Sequence, residues 1–159
     1  ELADIVYWQL GSLAKVSWDN LLYVTPIIVF TLAGLLAMRW RMNVLSLSDQ
    51  EAASLGVNVQ RERLAVIALA TLLTASAVCL SGTIGWIGLI LPHLARMLVG
   101  GNHARLLPVT AVLAASFLML ADLLARTLTS AEVPLGILCG FVGTPFFAWI
   151  LYRQRRYLA

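Results

Sequence analysis

Residues 45–59 read LSLSDQEAASLGVNV, a polar, small-residue passage set between two strongly apolar runs. Whether it joins two soluble helices or two membrane spans decides the fold, and the rest of the chain answers. Of 159 residues, 60% are hydrophobic and 12% charged, with a mean hydropathy of +0.87, far above a water-soluble domain of this size. The passage therefore links two membrane segments. Cys79 and Cys139 both lie in apolar runs without Cys or His at metal-ligand spacing, so they read as small hydrophobes, with neither a disulfide nor a zinc site. No metal site and no nucleic-acid partner are indicated. The chain opens at Glu1 without an initiator Met or a cleavable leader pattern and reads as a piece of something longer.

A hydrocarbon core of about 30 Å takes roughly 17 to 25 apolar residues per helix. Five stretches approach this: 21–38, 64–80, 83–99, 106–125 and 133–152. The third is the weakest, carrying Pro92, His93 and Arg96, and only Ser81 and Gly82 part it from the second. The expected fold is all-α over 1–159, a polytopic bundle of about five spans with one short helix near 48–56. Tyr7, Trp8 and Trp18 suit a membrane interface.

The bases orient the spans. With the passage after Met38 on the cytoplasmic side, that side collects Arg39, Arg41, Arg61, Arg63, Arg96, Arg105, Arg153, Arg155 and Arg156, against Lys15 and Arg126 opposite. Positive-inside bias then puts the first twenty residues outside and the C-terminus in the cytoplasm.

Within the opening passage, Ser48 followed three residues later by Glu51 forms a capping-box pattern, Leu47 is placed to staple onto Ala52, and Gly56 supplies a left-handed stop. A helix of about two turns is not stable alone in water and must lean on something. It is either a connector packed on its own membrane domain or a docking helix, for which the small Ala52, Ala53 and Ser54 allow close approach.

Gly82, Gly85 and Gly88 recur at every third position; no strand precedes them, so they read as a helix-packing stripe or as the lining of a pathway, rather than a dinucleotide loop. Gly136 and Gly140, with Gly143 and Pro145 following, fit either helix packing or a moving segment beside a pathway. Asp122 precedes Arg126 by four residues, the spacing of an ion pair on one helix face. No Walker A pattern occurs, so the chain binds no ATP that way, and His93 and His103 stand in no catalytic set. Asp122, near a helix end, is the one buried-looking acid. That argues against a proton-coupled secondary transporter.

The runs SLSDQEAASLGVN, SGTIGWIGLILPHLARMLVGGNHARLLP, ADLLARTL and AEVPLGILCGFVGTPFFAWIL, in that order, resemble the second half of a FecCD-type permease of bacterial ABC importers for iron siderophores, haem, vitamin B12 and related chelates. The resemblance implies a chain supplying helices six to ten of ten, paired with a second permease copy as a homodimer or heterodimer in the bacterial inner membrane. It implies that residues 45–56, with Ser48, Asp49, Glu51, Ala52, Ala53, Leu55 and Gly56, couple to an ATP-binding subunit that holds ATP and Mg. It implies further that Arg126 meets a carboxylate of a periplasmic or lipid-anchored substrate-binding protein, and that the last helix adjoins the pathway. The alternative is a structural membrane-anchor or assembly fragment without transport activity of its own.

Overall fold

A computed structural model of the chain describes residues 5, 8–13, 16–127 and 133–158, with backbone alone at 151 and 153–158. Among the described residues, helical turns at 8–10 precede α1 (Trp18–Leu45), α2 (Asp49–Ser54), α3 (Val59–Ser81), α4 (Ile87–Val99), α5 (His103–Thr127) and α6 (Leu135–Leu158). No strand occurs among the described residues. Tyr7, Lys15 and most of the loop expected after Thr127 lie outside them.

Local chemistry sets the helix starts. The Ser17 hydroxyl accepts from the Asn20 amide at 3.3 Å to begin α1, and the Asn58 side chain accepts from the Arg61 amide at 3.1 Å to begin α3. Pro26, Pro92, Pro108 and Pro145 sit inside helices. Intramembrane prolines are tolerated where side-chain hydroxyls help satisfy the backbone; beside Pro145, Thr144 donates to the Gly140 carbonyl at 2.8 Å.

Among the described residues, three helices, α1, α3 and α5, are long and apolar enough to cross a bilayer, and two shorter apolar stretches lie at Ile87–Val99 and Leu135–Ile150. The stretch 83–99 is not one helix. The chain is non-helical through 82–86 and becomes helical only at Ile87, so α4, with 13 residues, rises about 20 Å and falls short of a full span. The cause is local: Gly82 closes α3 at φ +68°, and Trp86 enters α4 at φ +69° without a side-chain cap.

α1 packs along α3 and against α5, while α4 packs against α5 and α6. The bundle thus has two ends. At one, the C-terminus of α1, α2, the start of α3 and the α4–α5 corner come together. At the other, residues 8–13, the α3–α4 connection and the start of α6 meet over a small core of Ala121, Ala125 and Leu135 flanked by Leu13, Ile84, Phe117 and Leu138. Much of the remaining apolar surface is uncovered within this chain, including Phe30, Leu120 and Phe141. Helices apolar all round need lipid or another protein surface to cover them.

Candidate functional site: the α2 end of the bundle

The site begins with the short helix. The Ser48 hydroxyl accepts from the Glu51 amide at 3.3 Å, and the Glu51 carboxylate accepts from the Ser48 amide at 3.0 Å and from its hydroxyl at 2.7 Å, so both halves of the capping box are present. These bonds to Ser48 hold the Glu51 carboxyl below the ordinary glutamate value. Gly56 ends the turn at φ +76°, with its amide donating to the Ala53 carbonyl at 3.0 Å. With no Cβ, it takes this left-handed conformation without steric cost.

The two alanines part company. Ala52 is fully buried, whereas Ala53, Ser54, Leu55 and Gly56 are exposed. The reading of Ala52 as a small residue open to a partner is therefore corrected: it faces inward and seats α2 on the bundle, because neighbouring positions on a two-turn helix point to different sides. Leu47 stays 44% exposed.

Polar links hold this end together. Arg63 of α3 pairs with Asp49 of α2 at 2.8 Å, and Arg41 of α1 pairs with Glu62 of α3. Asn43 of α1 donates from Nδ2 to Asn102 Oδ1 at 2.9 Å and accepts at Oδ1 from the His103 amide at 2.8 Å. Arg39, Arg61, Arg96 and Arg105 are exposed around the same end, and α6 runs back toward it with Arg153, Arg155 and Arg156 on its last turns. This end is strongly basic.

At the opposite end the glycines divide. A Cβ on Gly82 would collide with the Trp8 carbonyl and one on Gly136 with the Leu10 carbonyl, while Gly140 and Gly143 lie under the Trp86 side chain. Gly85 and Gly88 have open space where a Cβ would stand. The three-residue stripe is thus corrected: Gly82 and Gly85 lie in a non-helical connection rather than on a helix, and within this chain only Gly82 of the three permits a close contact. Pro145 is exposed on α6. Asp122 and Arg126 form their i, i+4 pair at 2.8 Å (Oδ2 to Nε), with the Arg126 side chain 49% exposed, beside a small cleft lined also by Ser12, Leu13, Ala125 and Leu135.

Asn43, Arg63 and Trp86 carry much of this geometry and escape sequence reasoning. Asn102 and His103, after Gly100 and Gly101, do carry a legible helix-start pattern, and the Asn102 side chain accepts from the Ala104 amide at 2.9 Å. Among the described residues, no cluster of three His, Cys, Asp or Glu could hold a metal ion.

The FecCD transport family matches residues 1–153. The chain is 44% identical over 156 residues to a molybdate import system permease protein of Haemophilus influenzae, covering 98% of this chain and 46% of that protein. It is 44% identical over 157 residues to a hemin transport system permease protein of Yersinia pestis, covering 98% and 47%. A solved inward-facing structure of a metal-chelate type ABC transporter superposes with a TM-score of 0.91 at 44% identity, over 96% of this chain and 49% of that one. The chain spans about half the length of these relatives.

Proposed function

The chain belongs to the FecCD transport family, and from that premise we propose that it is the C-terminal half of the permease subunit of an ATP-driven, binding-protein-dependent importer for a metal chelate, haem, vitamin B12 or a related substrate. The permease lies in the bacterial inner membrane with its C-terminus and α2 in the cytoplasm, pairs with a second permease copy, and hydrolyses no ATP itself. A separate ATP-binding subunit carries ATP and Mg and docks on α2.

The observation that carries this reading is the form of α2. It is a capped six-residue helix seated on the bundle through buried Ala52, and it presents Ala53 and Leu55 outward at the basic end. A small exposed residue on a braced helix suits close approach by a partner surface. The Asp122–Arg126 pair supports the second contact: Asp122 orients a half-exposed guanidinium that a carboxylate of the substrate-binding protein then grips.

Reconstitution tests the whole. Proteoliposomes holding the permease with its ATP-binding subunit and binding protein should take up chelate only with ATP hydrolysis, and uptake without the ATP-binding subunit would overturn the reading. An impermeant thiol reagent should reach a cysteine placed at Gln60 from the cytoplasmic side alone. Arg126→Glu should weaken affinity for the loaded binding protein by about 1 to 3 kcal/mol, a loss that shrinks at high salt. An unchanged dissociation constant in folded protein would leave Arg126 with a role inside the permease and none in docking.

A further inference from the structure

The first amides of a helix have no intrahelical acceptor and must find one elsewhere. In α5 the Ala104 amide is served locally by Asn102, but the His103 amide is served by Asn43, from α1 and 60 positions away in sequence. The same Asn43 Oδ1 lies 3.0 Å from His103 Nδ1, which donates to it in the Nδ1–H tautomer. Its Nδ2 donates to the Asn102 oxygen that caps Ala104. One side chain thus uses both ends of its amide, as acceptor for His103 and donor to Asn102, a combination that neither a carboxylate nor an apolar isostere reproduces.

We propose that Asn43 is a positioning residue that caps α5 in trans and makes the α4–α5 corner move as one body with the coupling helix. The links are continuous. Asp49 and Arg63 tie α2 to α3, Arg41 and Glu62 tie α3 to α1, and Asn43 ties α1 to the corner. Trp40 and Val44 of α1, Leu47 just beyond its end, and Asn102 line an open cleft beside Asn43, so apolar packing does not seal the junction on that side and the amide bridges it. A displacement of α2 by its partner is therefore delivered to the start of α5, a helix whose far end carries Arg126. This role rests on the transport reading above.

The test uses the complete transporter in lipid with its ATP-binding subunit, comparing wild type, Asn43→Leu and Asn43→Asp. Hydrogen exchange at the start of α5 reports the cap, and substrate moved per ATP hydrolysed reports the coupling. Asn43→Leu should speed exchange at His103 about tenfold and lower the transport-to-hydrolysis ratio severalfold, with the ATP-binding subunit still bound. Asn43→Asp, which keeps the capping oxygen but loses the donor, should fall between. If Asn43→Leu does not assemble, the Asn43→Asp ratio decides alone. Unchanged exchange would overturn the trans cap; faster exchange with a wild-type ratio would reduce Asn43 to a structural cap and overturn the positioning role. Wild-type protein that shows no ATP-driven uptake would instead overturn the transport reading, and the coupling role with it, while the exchange result still judges the cap.

Discussion

At the α2 end the elements meet through side chains: Arg41 with Glu62, Asp49 with Arg63, and Asn43 with Asn102 and His103. At the opposite end they meet largely through backbone: the Ser12 amide on the Ser81 carbonyl at 2.8 Å, the Leu135 amide on the Gly11 carbonyl at 2.9 Å, and Gly82 and Gly136 against the carbonyls of Trp8 and Leu10. Solvent-exposed side-chain links are individually weak and join the elements only as a connected set, whereas backbone contacts at glycine leave no room to adjust. The contrast sets an end held by several small side-chain contributions against one where α3, α4 and α6 are pinned together through backbone.

The largest effect should therefore come from the fixed end. Gly82→Ala forces a Cβ into the Trp8 carbonyl at a positive φ, and strain and overpacking together should cost about 2 to 4 kcal/mol, read as a lower detergent unfolding midpoint. Gly88→Ala, with open space around it, is the control and should leave that midpoint in place. Equal losses at both would erase the contrast.

A smaller effect belongs to the α2 end. Asp49→Asn removes an ion pair whose side chains are 68% and 50% exposed, so it should cost about 1 kcal/mol or less, and less still in high salt. A loss as large as that of Gly82→Ala would place the rigid joint at α2 instead.

These distinctions show what the sequence could reveal. The capping box of α2 and the Asp122–Arg126 pair are legible because each joins residues three or four apart, where helix geometry alone fixes the contact. The Asn43 cap is not, because its partners lie about 60 positions away and only the packing of α1 against α5 brings them together. Gly82, Gly85 and Gly88 look equivalent when the helix is taken to run through them, and the break at 82–86 separates their roles. Trp86 gives no warning of its positive φ, which a bulky residue rarely adopts; its side chain over Gly140 and Gly143 accompanies that conformation.

The smallest effect is one of pH. Glu51 is held below its ordinary pKa by Ser48, so its bonds favour the folded helix fully at neutral pH. That support is lost as pH falls below the ordinary glutamate value and through the lowered one. Protection of the α2 amides, taken relative to the intrinsic exchange rate at each pH, should fall on acidification across that window, and Glu51→Gln should remove the Glu51 contribution to that fall. A loss of protection centred near neutrality would assign it to another group.

The account stands or falls on the outward face of α2. Ala53→Glu in the reconstituted complex places an unpaired charge on that exposed face, where close approach to the ATP-binding subunit is proposed. The measurement is ATP hydrolysis and chelate uptake by the same proteoliposomes, alongside retention of the ATP-binding subunit. The account predicts that uptake and subunit retention fall by about tenfold or more while membrane insertion and helix content stay at wild-type levels. Wild-type uptake with the ATP-binding subunit fully retained would contradict it and leave α2 a connector between α1 and α3.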